Sequence, residues 1–447
     1  MSGIATGPAA VGTRPRSYPM SREQESLWLD DVVSDGPSRY LEHWACTLSG
    51  PLDVDALEWA LGQVIERHEV LRSRFTEIAG DPVQLVTDPA PVRLVRLACP
   101  PDDLAAELIR IAGVPLDLEE TPLRPWLVEV APDKCVLIVQ LHHAVVDDWS
   151  LNVFQGELMH FYEARLAGRP AALEPLPMQA GDHAVAQRAA GLTSVDIEYW
   201  REKVHDAPRS CTVPPDRPAP AEEPHRATRY VFRIDPEVGR SVRAAGRALR
   251  TTPFTVFAGA LAVLLWQYGE PDEVIFGTQV SQRGSVDLDN MIGYLANTLP
   301  IRLAVSRDAT FRTLIDATKT AVLGALDHRA VPFSLLVQMT RRGMDLDVPP
   351  LCDAGLVVDD MRWEPFTLGP VTAERIYVPP ARAKFALHFS LMSDDAGGYA
   401  AFCDYDSDLY FDSTMVQVAD RFVAVLVHCA AALDKPLAAL IAGAGEQ

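Results

Sequence analysis

Residues 141–150 read LHHAVVDDWS, two adjacent histidines at the end of an apolar run, then two adjacent aspartates. A neutral imidazole, with an ordinary pKa near 6.5, accepts a proton at neutral pH, which is the chemistry of a general base. His143 is the candidate for that work, and Asp147 would orient the loop, although a buried carboxylate needs a cationic partner. A core histidine that closes a strand fits the same residues, so both readings stay open on spacing alone. His143 and Asp147 also have the i, i+4 spacing of a helical metal pair. The intervening AVV is mostly β-branched and no third ligand lies nearby, so no metal is expected.

The elements that must position these side chains can be read locally. Val136–Leu141 has the β-branched, apolar character of a strand, so His142 and His143 point to opposite faces and one of them is left to serve the structure. Leu57, Leu61, Val64, Ile65 and His68 recur at helical spacing, while EVIFGTQVS, LPIRLAV, AGLVVDD and FALHFSL read as further strands. In the last of these, Ala386, His388 and Ser390 share one face, opposite Leu387, Phe389 and Leu391. TPFTVFAGALAVLLWQYG has Thr252 as N-cap, Pro253 at the first helical position and Gly269 as a stop. Its apolar stretch falls short of the ~20 residues of a membrane span, so it reads as a buried core helix.

Proline-rich passages at 167–177 and 206–226 cannot continue a helix or a central strand and read as surface connections. With a boundary near 178, the chain divides into a loose leader at 1–16, an N-terminal lobe at 17–178 and a C-terminal lobe at 179–447. Helices and strands alternate on both sides, a mixed α/β pattern without an internal repeat.

Sixty-one Asp and Glu against forty Lys and Arg give a formal charge of -21. That balance repels nucleic acid and anionic membranes, so neither is an expected partner. The seven cysteines (Cys46, Cys99, Cys135, Cys211, Cys352, Cys403 and Cys429) are scattered, odd in number and without a CxxC pair, which fits a reduced cytoplasm. The N-terminus lacks an apolar core of signal-peptide length.

HHAVVDDWS resembles the HHxxxDGxS signature of the condensation domains of nonribosomal peptide synthetases, with Asp148 in place of the usual glycine. Other stretches resemble that family in the same order. SREQESLWL (21–29) is similar to its opening motif, RHEVLRSRF (67–75) to RHExLRTxF, and GDHAVAQ (181–187) to a degraded YxDYAxWQ. They continue with Tyr199–Trp200, GTQVSQRG (277–284), MIGYLANTLPIR (291–302), HRAVPFSLLV (328–337) and KFALHFSL (384–391). The resemblance covers about 17–435.

It implies two lobes like chloramphenicol acetyltransferase, set in a V with the active-site tunnel between them. The donor would be an acyl or aminoacyl thioester on the phosphopantetheine arm of a separate carrier protein, and the acceptor a small-molecule amine or hydroxyl. No cofactor of the chain's own is implied. His143 would be catalytic. His142, Asp147 and Arg283 would support it, with Asp147 paired to Arg283. Asp148, Ser150, Asn297 and His388 are the tunnel or substrate-side candidates, and Arg67, His68, Glu69 and Arg72 a framework cluster. A carboxylate at Asp148 is expected to favour protonated His143 and raise its pKa.

Because the sequence starts just before the first motif and ends soon after the last helix, a free-standing, cytoplasmic condensation enzyme is the leading expectation. A coenzyme A-dependent HxxxD acyltransferase is one alternative, weakened by the missing DFGWG-type motif. An inactive module that docks carrier proteins is the other.

Overall fold

The computed structural model describes residues 16–34, 38–208, 213–218, 225–269, 271–340, 351–359 and 365–441. Cys211, nearly all of the leader and parts of the 206–226 passage lie outside the described residues.

Two six-stranded sheets carry the fold. In the first, Lys134–His142 lies between Leu41–Ser49 and Leu123–Ala131, antiparallel to both. Helices and loops cover both faces of this central strand, so it reads as a continuous apolar run in which every residue after Lys134 is buried. In the second sheet, Ala354–Asp359 runs parallel to Leu387–Ser393 and to Glu273–Ser281, with antiparallel pairs outside them. A small third sheet joins Arg16–Pro19, Asp81–Val86 and Ser73–Ile78.

Each large sheet packs on its own apolar core. Helix Pro253–Trp266 has the expected Thr252 cap, whose hydroxyl accepts from the Thr255 N–H, and is buried from Thr255 to its end. Asp412–Ala431 is long and apolar enough to cross a membrane. It instead turns Met415, Val418, Phe422, Val425 and Leu426 into the second core.

The division at 178 is not a clean one. Phe366–Leu368 and Val371–Arg375 pair onto the first sheet, in register from Thr372 opposite Ser49 to Arg375 opposite Cys46. Leu288, Met291, Ile292 and Leu295 join the first core. Strand Leu41–Ser49 would otherwise present an unpaired edge, and the crossing segment pairs with its second half, from Cys46 to Ser49, with the Ile376 N–H donating to the Ala45 carbonyl.

Candidate active site

The histidine corner is built where the central strand of the first sheet ends. His142 pairs with Leu41 across the ladder, a short 3-10 turn follows at His143–Val145, and Asp147 caps the 19-residue helix Asp148–Leu166 by accepting from the Ser150 N–H. The two rings diverge, as strand alternation requires. His142 is fully buried, accepts from the Ala144 N–H through Nδ1 at 3.0 Å and donates from Nε2 to Asp31 at 2.8 Å. His143 donates from Nδ1 to the Val146 carbonyl at 2.6 Å, and its backbone N–H donates to the Tyr40 carbonyl at 2.7 Å. With Nδ1 protonated, the Nε2 lone pair of the neutral ring is the free one.

The opening motif steadies this turn. Ser21 and Gln24 form a capping box, and the Gln24 side-chain amide also donates to the Ala144 carbonyl at 2.9 Å.

Asp147 is held from the other half of the chain. Arg283 Nη2 donates to its Oδ1 at 3.0 Å and Oδ2 at 3.3 Å, and Nη1 donates to the Met291 and Leu288 carbonyls. The Leu295 N–H donates to Asp147 Oδ2 at 3.1 Å. Both side chains are almost wholly buried, and the Coulomb attraction is backed by further hydrogen bonds to Arg283 Nη1 and Asp147 Oδ2, while Arg283 Nε has no hydrogen-bond partner among the described residues.

Two substrate-side expectations are corrected here. Ser150 does not face the cavity. Its hydroxyl sits between Asp147 Oδ1 at 2.6 Å and the Gly293 carbonyl at 2.9 Å, and accepts from Arg283 Nη2 and the Gly293 N–H. Asn297 is likewise buried, and donates to the Arg329 and Val331 carbonyls at 2.9 and 2.8 Å while accepting from the Phe333 N–H. Both use their polar groups to hold backbone, as buried polar groups must.

The framework cluster resolves into two pairs. Arg67 and His68 both donate to Glu157, at 2.9 and 2.8 Å, while Glu69 pairs with Arg16 and lies 3.7 Å from Arg72.

His143 opens onto a cavity of about 220 Å³ between the two sheets, which Glu42, Asp148, Arg229, Lys384 and His388 also line. Burial and then the Lys384 ammonium push the His143 pKa down to about 4, against the pull of Glu42. The expected rise caused by Asp148 is thereby corrected, since burial outweighs the charges around the ring. Asp148 presents its surface to the cavity, where burial and then Glu42 raise its carboxyl to about 6. His388 is pushed down to about 4 by burial and stacks on Phe385 at 5.3 Å between ring centres. It lies so close to Gly355 on the neighbouring strand that a Cβ there would meet its Cδ2 at 2.4 Å.

Glu42 and Lys384 escaped the sequence reading. Glu42 is the one acidic residue in the strand LEHWACTLS, and that is the signal that marks it.

A family model described as a condensation domain matches residues 15–442. Over 427 residues the chain is 32% identical to a probable non-canonical nonribosomal peptide synthetase of Salinispora arenicola, CymA, covering 92% of this chain and 6% of that protein. It is 29% identical over 455 residues to the isonitrile lipopeptide synthase of Mycobacterium tuberculosis, covering 97% and 18% respectively. The chain thus spans only a small fraction of the length of these relatives. Among solved structures it is similar to the X-domain in its complex with OxyB from teicoplanin biosynthesis, with TM-score 0.86 and 29% identity over 98% of this chain and 99% of that one. The two-lobed architecture around the histidine corner and the near-complete span of the family match lead to one conclusion: the chain belongs to the condensation-domain family.

Proposed function

We propose that this chain transfers an acyl or aminoacyl group from a phosphopantetheine thioester on a carrier protein to an amine or hydroxyl acceptor, forming an amide or ester. The observation that carries this reading is the His143 ring, fixed through Nδ1 on the Val146 carbonyl while Nε2 faces a cavity between the two sheets. A thioester is already activated, so alignment of two reactants and management of one proton suffice. As the acceptor attacks the thioester carbon, its proton passes to His143 Nε2. The carbon–sulfur bond then breaks and the departing thiolate takes the proton, which returns the ring to its neutral form. No cofactor is needed beyond the carrier's own arm.

Asp147, Arg283, Ser150 and His142 hold the corner in this scheme, and Asp148 and His388 line the cavity in which the substrates meet. The experiment offers the protein one acyl group on a carrier protein, on coenzyme A and on a small thioester, with amine and alcohol acceptors. Product is read by mass spectrometry beside a His143→Ala control. Product that requires the carrier and His143 supports the reading; equal turnover from acyl-coenzyme A contradicts it.

A second reading is a module that binds a partner protein without catalysis. It is favoured by the likeness to the X-domain, whose structure is a complex with OxyB. Carrier binding without product from any acceptor, and unaltered by His143→Ala, would support it instead.

A further inference from the structure

On its Nε2 side, His143 meets a carboxylate from a neighbouring strand. Glu42, on Leu41–Ser49, brings Oε1 to 3.5 Å from His143 Nε2. The same oxygen is paired with Lys384, which reaches it from the segment leading into strand Leu387–Ser393 of the second sheet. Three segments from both sheets thus converge on one ring nitrogen, and all three side chains line the cavity.

The other ring nitrogen is committed to the Val146 carbonyl, so any proton the ring gains must sit on Nε2. Glu42 is the carboxylate facing it. The remaining groups nearby are placed otherwise. Asp147 is occupied by Arg283, Ser150 and the Leu295 N–H, and the Tyr294 ring packs 4.8 Å from the imidazole. His43 neighbours Glu42 along the strand, and Asp148 faces the cavity from the helix that follows.

The chemistry of this trio depends on the proton. With His143 neutral, the Nε2 lone pair and the Glu42 carboxylate are both acceptors and repel one another. When Nε2 is protonated the same two atoms carry opposite charges and form a salt bridge across 3.5 Å, so repulsion becomes attraction. Lys384 opposes that attraction, because its ammonium neutralises Glu42 and repels an imidazolium. The titration of the groups agrees in direction. Burial works against the Glu42 carboxylate, but Lys384 and then His143 outweigh it and hold its carboxyl at about 2.

Building on the acyl-transfer reading of the site, we infer that Glu42 is a positioning residue that stabilises protonated His143, and that Lys384 sets how much of that stabilisation the ring receives. During transfer the acceptor's proton moves to Nε2 as the new carbon–nitrogen or carbon–oxygen bond forms, and leaves with the thiolate as the carbon–sulfur bond breaks. Glu42 stays a carboxylate throughout and touches neither reacting carbon. The ion pair therefore ties the basicity of His143 to the spacing of the two sheets: withdrawal of Lys384 frees Glu42 and strengthens the base.

The test is the titration of His143, followed by NMR of the histidine ring signals in the intact protein and assigned by their loss in His143→Ala. Lys384→Met is expected to raise the His143 pKa by about one pH unit and Glu42→Gln to lower it by about as much, the usual effect of a charge at this range. An unchanged titration in both variants would overturn the inference; a merely structural ion pair gives that result, with lowered thermal stability alone. If Glu42→Gln folds poorly, Lys384→Met and Lys384→Gln still decide, because they leave Glu42 in place. Where product forms, the acidic limb of kcat/KM moves in the same two directions while KM for the acceptor holds. Failure of the transfer reading is seen separately, as absence of product from the wild type, and leaves the titration readable.

Discussion

Arg283 holds Asp147 from 136 residues further along the chain, donating to both carboxylate oxygens, with side chains 4% and 6% exposed. The pair joins the turn after one sheet's edge region to the cap of the helix that follows the histidines, so it fixes the corner against the other half of the chain. Removal of either charge leaves the other buried and uncompensated. Arg283→Ala is expected to destabilise the protein by about 3–5 kcal/mol in a denaturant titration, far beyond a surface arginine such as Arg247.

His142 and His143 are expected to fail differently. His143→Ala gives up the ring's bond to the Val146 carbonyl but keeps the backbone bond to the Tyr40 carbonyl, and should fold while losing about 10²–10⁴-fold in transfer rate. His142→Ala strips Asp31 and the Ala144 N–H of a buried partner and should cost about 1–3 kcal/mol in stability. Thermal melts beside rate measurements separate the two.

Acid sensitivity follows from three cavity histidines. His43, His143 and His388 are each held near a pKa of 4, below the ordinary 6.5, chiefly by burial. In this window the unfolded chain binds protons that the folded chain refuses, so these residues contribute stability that is present above pH 6.5 and lost as pH falls towards 4. Asp148 has the opposite sign, because its raised carboxyl makes the folded chain the better proton binder between about pH 4 and 6. His143→Ala should therefore flatten the decline of stability with acid and Asp148→Asn should steepen it, measured by denaturation at a series of pH values.

Asp148→Gly is expected to retain the wild-type transfer rate or exceed it. The Asp148 carboxylate faces the cavity and is not used to hold the corner, so its loss leaves His143, Asp147 and Arg283 in place. A drop in kcat/KM for a cationic substrate, with neutral substrates unaffected, would instead assign the carboxylate to substrate recognition.

Asn297→Ala should act on structure alone. Its three hydrogen bonds pin residues 329–333, and their loss is expected to destabilise the protein by about 1–3 kcal/mol without changing kcat of the folded enzyme.

The sequence made the corner legible because its parts are local. Strand alternation separates His142 from His143, and the motif order pointed to Arg283 as the partner of Asp147. The two faces of KFALHFSL are visible in the alternate burial of Leu387–Ser393. What stayed hidden depends on contacts that spacing does not encode. Ser150 and Asn297 carry chemistry suited to a tunnel, but the backbone groups that claim them come from distant segments. The strands at 366–375 are too short to announce a return to the first sheet, and Glu42 meets a lysine 342 residues away.

In the proposed transfer, His143 Nε2 takes the acceptor's proton while the acyl group leaves its carrier. Intact-protein mass spectrometry of an acylated carrier, mixed with wild-type protein or His143→Ala and an amine or alcohol acceptor, follows that step directly. Rapid conversion of acylated carrier to free-thiol carrier with equimolar product is expected for the wild type, and a loss of at least about 10²-fold for the variant. Equal conversion by both proteins would contradict the role assigned to His143.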